Sequence, residues 1–294
     1  MSDIVNILYQ WLLAPFEFEF MRRALVGCVA LCLGAAPVGV FLMLRRMSLT
    51  GDAMAHALLP GAALGYLVAG LSLPAMTIGG TLAGLTVAIL SGVVARTTSM
   101  REDASLAAFY LISLAGGVAI ISMHGSNVDL LHVLFGSVLA INNESMILMG
   151  AISTITVLTL ALILRGLIAE CVDPAFMRTV SGAGGWLHMI FLSLVVLNLV
   201  GGFQALGTLM VVGLMILPAA AARFWARSIT VVLALATMFG LMASAAGLLL
   251  SYHFGGPSGP MIILAAGFFY IASLFFGTAD GYIRDWWPRR HLHA

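Results

Sequence analysis

The chain contains no lysine. All 13 of its basic residues are arginine, set against 12 acids for a formal net charge of +1. Charge of either sign is scarce, at 9% of residues, where a soluble domain carries about 25%. No basic patch is available for a phosphate backbone, so nucleic acid is not expected as a partner. Cysteine is limited to Cys28, Cys32 and Cys171, which gives no disulfide framework. Cys28 and Cys32, four residues apart in an apolar run, read as small apolar filling rather than as metal ligands. Enzyme signatures are missing too: there is no P-loop, no G-x-S-x-G and no H-E-x-x-H. The chain is therefore expected not to be an enzyme, and any ATP it depends on must be bound by another polypeptide. The N-terminus lacks a basic n-region and a small-residue cleavage site, so no removable signal peptide is expected.

Apolar sequence is what the chain has in excess. Hydrophobic residues make up 62% of its 294 positions, and the mean hydropathy is +1.09. A membrane span needs about 20 apolar residues, which points to an all-α polytopic membrane protein with about nine transmembrane helices. The stretches run roughly over 22–44, 52–70, 75–95, 104–123, 145–165, 188–201, 206–224, 229–251 and 259–279. Residues 1–20, interrupted by Pro15 and acidic at Glu17 and Glu19, read as an N-terminal interfacial segment. Residues 21–280 form the membrane domain and 281–294 a cytoplasmic tail. Pro37, Pro60-Gly61 and Pro218 are expected to break the first, second and seventh spans.

Arginine placement orients the spans. Arg45 and Arg46, Arg96 and Arg101, Arg165 and Arg178, Arg223 and Arg227, and the arginines after 283 fall in alternate loops. The positive-inside rule makes those loops cytoplasmic, with the N-terminus outside and the C-terminus inside. Arg22 and Arg23 are the exception, on the outer side, and a tenth, N-terminal span over 4–20 is the alternative. The opposite loops are expected near 71–74, 124–144, 202–205 and 252–258. Within residues 124–144, an apolar run too short to span suggests a short re-entrant helix. Residues 166–187 form the longest polar stretch, where Asp173-Pro174 would open a short helix that Gly182 closes.

Two acid–imidazole pairs stand out against this apolar background, where ionisable groups by default mark a substrate or ion pathway. Asp52 and His56 are i, i+4, and Asp129 and His132 are i, i+3. Each pair shares one helical face. Two carboxylates and two imidazoles suit a divalent cation such as zinc, manganese or iron(II). A proton relay and purely structural polar contacts remain open beside metal coordination. One shared site would require both pairs to reach toward the membrane midplane. His124 reads as an isolated loop residue, and His188 and His253 as rings at membrane boundaries. Glu144 reads as a helix cap.

Several ordered motifs carry a resemblance over residues 20–280. They are FMRRAL at 20–25, LRRMSLTGDAMAHALLPGAALG at 44–65, REDASL at 101–106, VDLLHVLFGSVLAI at 128–141, DPAFMRTVSG at 173–182, QALGTLMVVGLMILPAAAAR at 204–223 and SYHFGGPSGPMIIL at 251–264. With these the chain resembles the integral-membrane permeases of bacterial ABC importers for manganese, zinc and iron. The resemblance implies a multi-pass permease of the bacterial inner membrane that pairs with a second copy of itself. It also implies a cytoplasmic ATP-binding subunit and an extracytoplasmic metal-binding solute-binding protein as partners. Zn2+ or Mn2+, with Fe2+ as a further candidate, would be cargo, and no cofactor would be permanently bound. The metal positions carried over are Asp52, His56, Asp129 and His132. The cytoplasmic segment 166–187, with Asp173, Pro174, Arg178 and Gly182, corresponds to the coupling helix that docks on the ATPase. Asn142-Asn143-Glu144 departs from the family pattern, so no role passes to Glu144. A secondary proton-coupled metal transporter is the alternative function.

Overall fold

The computed structural model describes residues 9–70, 72–98, 100–123, 138–173, 177, 184–279 and 281–282. Within them the chain forms nine long helices: α1 (Glu19–Leu44), α2 (Thr50–Ala69), α3 (Leu73–Thr97), α4 (Glu102–Met123), α5 (Asn143–Val172), α6 (Gly184–Leu206), α7 (Thr208–Arg223), α8 (Ile229–Phe254) and α9 (Ser258–Phe276). No strand occurs among the described residues. In hydrocarbon every backbone N–H and C=O must find its partner within its own segment, and the helix achieves this. Eight of the nine are long and apolar enough to cross a membrane. The exception is α7, whose 16 residues cover about 24 Å where the hydrocarbon core is about 30 Å thick.

Each of the nine apolar stretches corresponds to one helix, but several boundaries and breaks differ from expectation. Pro37, Pro60 and Pro218 all lie inside continuous helices. Neighbouring helices hold the backbone in place, so each proline removes one hydrogen bond without ending the helix. No loop forms at 202–205, because α6 runs on to Leu206 and reverses at Gly207, whose φ of 86° suits glycine. The polar stretch is shorter than 166–187, since α5 extends to Val172 and α6 begins at Gly184. Asn142, not Glu144, caps α5: its side chain accepts from the Ser145 amide at 2.8 Å, leaving Glu144 exposed in the first turn. The shorter side chain sits one position outside the helix, where an N-cap belongs.

Helices α1 and α6 are the most enclosed, while α4 lies at the periphery. Burying apolar surface gives no advantage against lipid, so the helices associate through close shape fit and buried polar contacts. Gly61 on α2 and Gly79 on α3 face each other, and a Cβ on either would strike the other's carbonyl. Gly39 on α1 rests in the same way on the Met215 carbonyl of α7. Asn198 on α6, almost fully buried, donates to Thr156 Oγ1 of α5 and to the Leu194 carbonyl, both at 2.8 Å.

The end of α1 closes in a Schellman turn. The Met47 amide donates to the Leu42 carbonyl at 2.8 Å and the Arg46 amide to Met43 at 3.0 Å. Leu42 and Met47 are both buried beneath it. Arg46 occupies the left-handed position, at φ 59°, where glycine is usual. Near the N-terminus, the Trp11 ring stacks on His253 of α8 at 4.2 Å. His253 Nε2 donates to the Trp11 carbonyl at 3.0 Å.

Gly61→Leu should wedge α2 from α3 and lower stability by about 3 kcal/mol, the upper end of the usual overpacking range. Arg46→Gly should raise stability by about 1 kcal/mol by relieving the left-handed conformation. Thermal unfolding of the detergent-solubilised protein measures both.

Candidate metal centre

Asp52 and His56 occupy the first two turns of α2, on the face turned away from the buried Met54 and Leu58. His56 Nε2 lies 3.8 Å from Asp52 Oδ1. That is too long for a hydrogen bond. Two ligand atoms on one tetrahedral ion, with bonds of about 2.1 Å, stand roughly 3.4 Å apart. A small side-chain rotation therefore lets both atoms bind a single cation. Asp52 is 65% exposed and His56 33%, so the pair opens off the side of the chain rather than into its core. His56 lies about 9 Å along a helix of about 30 Å. This places the pair in the first third of α2, beside the Schellman turn, rather than at mid-helix.

Helix α4 braces the pair through one stripe of residues. The Tyr110 ring stacks on the His56 imidazole at 6.4 Å, with 29° between the planes. Ser113 donates to the Ala57 carbonyl at 3.3 Å. Gly117 leaves room for the Pro60 ring, which a Cβ would meet at 2.7–2.8 Å. These positions are i, i+3 and i+7 and share one helical face. Sequence reasoning missed them, although Ser113-x-x-x-Gly117 is a small-residue spacing of the kind that brings membrane helices together. Pro60 adds a chemical feature: lacking an N–H, it cannot bond the carbonyl four residues back, which belongs to His56.

Asp129 and His132 lie outside the described residues. Among the described residues, no group of three or more His, Cys, Asp or Glu side chains comes together. Cys28 and Cys32 are buried, and Cys32 Sγ lies 3.5 Å from Ser244 Oγ. Asp173 is exposed at the end of α5, and its carbonyl accepts from the Met177 amide at 3.3 Å. Pro174, Arg178 and Gly182 lie outside the described residues. His188, four residues into α6, is buried.

A bundle of nine apolar helices, eight of them long enough to cross a bilayer, defines a polytopic membrane protein. Comparison with known proteins sharpens that class. Residues 17–277 match the family described as the ABC 3 transport family. The manganese import system permease protein ScaB of Streptococcus parasanguinis is 31% identical, over 95% of both chains. The chelated iron transport system membrane protein YfeD of Yersinia pestis is 29% identical, over 92% of this chain and 90% of its own. The solved structure of PsaBC from Streptococcus pneumoniae in complex with Fab aligns with a TM-score of 0.79 and 29% identity. It covers 97% of this chain and 99% of that one. The chain belongs to the ABC 3 transport family, as a multi-pass permease subunit without enzymatic activity of its own.

Gly117→Leu should push α4 off Pro60 and cost about 1–3 kcal/mol. Tyr110→Phe, which keeps the ring, should stay within about 0.5 kcal/mol of the parent. Thermal unfolding distinguishes the two.

Proposed function

We propose that this permease carries a divalent transition metal inward, with Asp52, His56, Asp129 and His132 as the groups that hold the ion in transit. The observation that carries this reading is the Asp52–His56 pair, set at ligand-to-ligand distance in an otherwise apolar helix. A carboxylate beside the imidazole offsets part of the ion's charge where water is scarce, and the mixed oxygen and nitrogen donors suit manganese, iron(II) and zinc alike. The relatives named for manganese and for chelated iron put manganese and iron(II) ahead of zinc. The ion is cargo, so binding must be weak enough to release it.

The described pair provides two side-chain ligands and a large exposed carboxylate. Pairing with a second copy of the chain would cover that carboxylate, which supports a homodimer. Energy would come from a cytoplasmic ATP-binding subunit docked on the polar segment between α5 and α6. A solute-binding protein would deliver the ion at the opposite face. Arginine placement supports a cytoplasmic position for that segment and for the C-terminus, and an outer position for the N-terminus. Membership of an ABC transport family argues against the proton-coupled secondary transporter.

Asp52→Ala and His56→Ala should each reduce cellular accumulation of manganese by at least about tenfold at unchanged permease level, since loss of an outer-shell partner alone costs that much and a direct ligand should cost no less. Uptake of 54Mn2+ measured against competing Zn2+ and Fe2+ tests both the site and the cargo. Normal uptake in both variants would refute the assignment.

A further inference from the structure

A second ionisable cluster lies away from the candidate metal pair. Arg45, the C-cap residue of α1, reaches Glu170 of α5, with Nη2 2.9 Å from Oε2. The two side chains are only 9% and 11% exposed. The other amino group, Nη1, donates to Nδ1 of His188 on α6, and His188 is 4% exposed. The face of the guanidinium lies over the Phe191 ring at 5.1 Å. Phe191 is fully buried and packs edge-on against Phe41 of α1. One arginine therefore joins three helices at a single point. Three other ion pairs, Arg23–Glu19, His56–Asp52 and Arg101–Asp103, each lie within one helix or turn.

Position gives this cluster its meaning. Glu170 stands three residues before Asp173, and His188 stands one turn into α6. The two partners of Arg45 are thus the two stems of the polar segment 173–183. On the other side, Arg45 leads through the turn at 46–49 into α2, where Asp52 lies seven residues further on. A buried ion pair adds little stability over a well-packed apolar replacement, and its best-attested use is to fix register or act as a switch. The guanidinium plane is rigid, so its hydrogen bond to His188 and its ion pair with Glu170 are held in one fixed relation.

We propose that Arg45, Glu170 and His188 form a positioning latch that transmits displacement of the 173–183 segment to the helix bearing Asp52 and His56. The inference rests on the reading above, in which that segment receives the ATPase. When the stems of α5 and α6 shift together, Arg45 follows both, and the short turn passes the shift to the first turn of α2. Loss of the latch leaves both sites intact but disconnects them.

The test reconstitutes the permease with its ATP-binding subunit and solute-binding protein in proteoliposomes. It reads 54Mn2+ uptake per ATP hydrolysed beside complex assembly and melting temperature. Glu170→Gln and His188→Leu should assemble and hydrolyse ATP, yet carry about tenfold less Mn2+ per ATP, a change of the size expected for broken coupling between sites. His188→Asn, whose amide oxygen can replace Nδ1 as acceptor, should stay within about twofold of the parent, whereas Glu170→Gln keeps an acceptor oxygen but removes the charge that pairs with Arg45. The Glu170→Gln/His188→Leu double variant should be no worse than the poorer single, because both remove one device. A ratio within twofold of the parent in both single variants overturns the latch, as does a double variant whose losses multiply. If Glu170→Gln fails to assemble, the contrast between His188→Leu and His188→Asn decides alone, and equal losses in those two overturn the proposal. A parental complex that moves none of Mn2+, Fe2+ and Zn2+ overturns the functional reading, and the latch with it, whereas normal parental uptake beside unaffected variants sinks the latch alone.

Discussion

The absence of water in the bilayer core governs almost everything in this protein. Backbone groups must pair within each segment, so the nine described apolar stretches are helical. The same solvent removes the usual reward for burying hydrocarbon, because lipid tails are as apolar as leucine. Packing then rests on how closely two backbones can approach. The reciprocal contact of Gly61 with Gly79, and the seat of Gly39 on the Met215 carbonyl, are where that approach is closest. Buried polar contacts such as Asn198 with Thr156 fix the rotation of one helix against the next.

The apolar solvent also makes ionisable groups conspicuous, and two clusters among the described residues stand on either side of the turn between α1 and α2. One is the Asp52–His56 pair, open to the side and braced by α4. The other is Arg45 with Glu170 and His188, closed among three helices. They are linked by a turn of only a few residues whose geometry is held by a Schellman motif. A rigid connector between a candidate cargo site and the stems of the 173–183 segment is what a transporter driven from one face requires.

Much of the fold could be read from the residues, because length and hydropathy alone decide whether a segment crosses a bilayer. The nine apolar stretches map one to one onto nine helices. Asp52 and His56 were visible for the same reason: they interrupt apolar sequence at a helical spacing. The errors were of a different kind. Proline looks like a helix breaker in isolation, yet Pro37, Pro60 and Pro218 are held by neighbours that no local reading contains. Glu144 seemed a natural cap, but the shorter Asn142 stands where the cap geometry falls. The latch was missed because Arg45 looked like an orientation signal, Glu170 an undistinguished acid and His188 a boundary ring. Their partnership joins positions 45, 170 and 188, and only the tertiary packing of α1, α5 and α6 brings them together. Asp129 and His132 share the spacing logic of the first pair and lie outside the described residues.

Pro60 gives the candidate site an unusual division of ownership. Because it has no N–H, the carbonyl oxygen of His56 loses its usual partner in the helix ladder, so residue 56 carries a backbone oxygen without that bond as well as an imidazole. The first belongs to the chain's geometry and the second to its chemistry. Replacing the histidine removes only the imidazole. The oxygen stays in place, governed from one turn away by a residue that carries no polar side chain. Under the proposed assignment of His56 to the ion, position 60 matters beside position 56, although nothing in its own chemistry announces it.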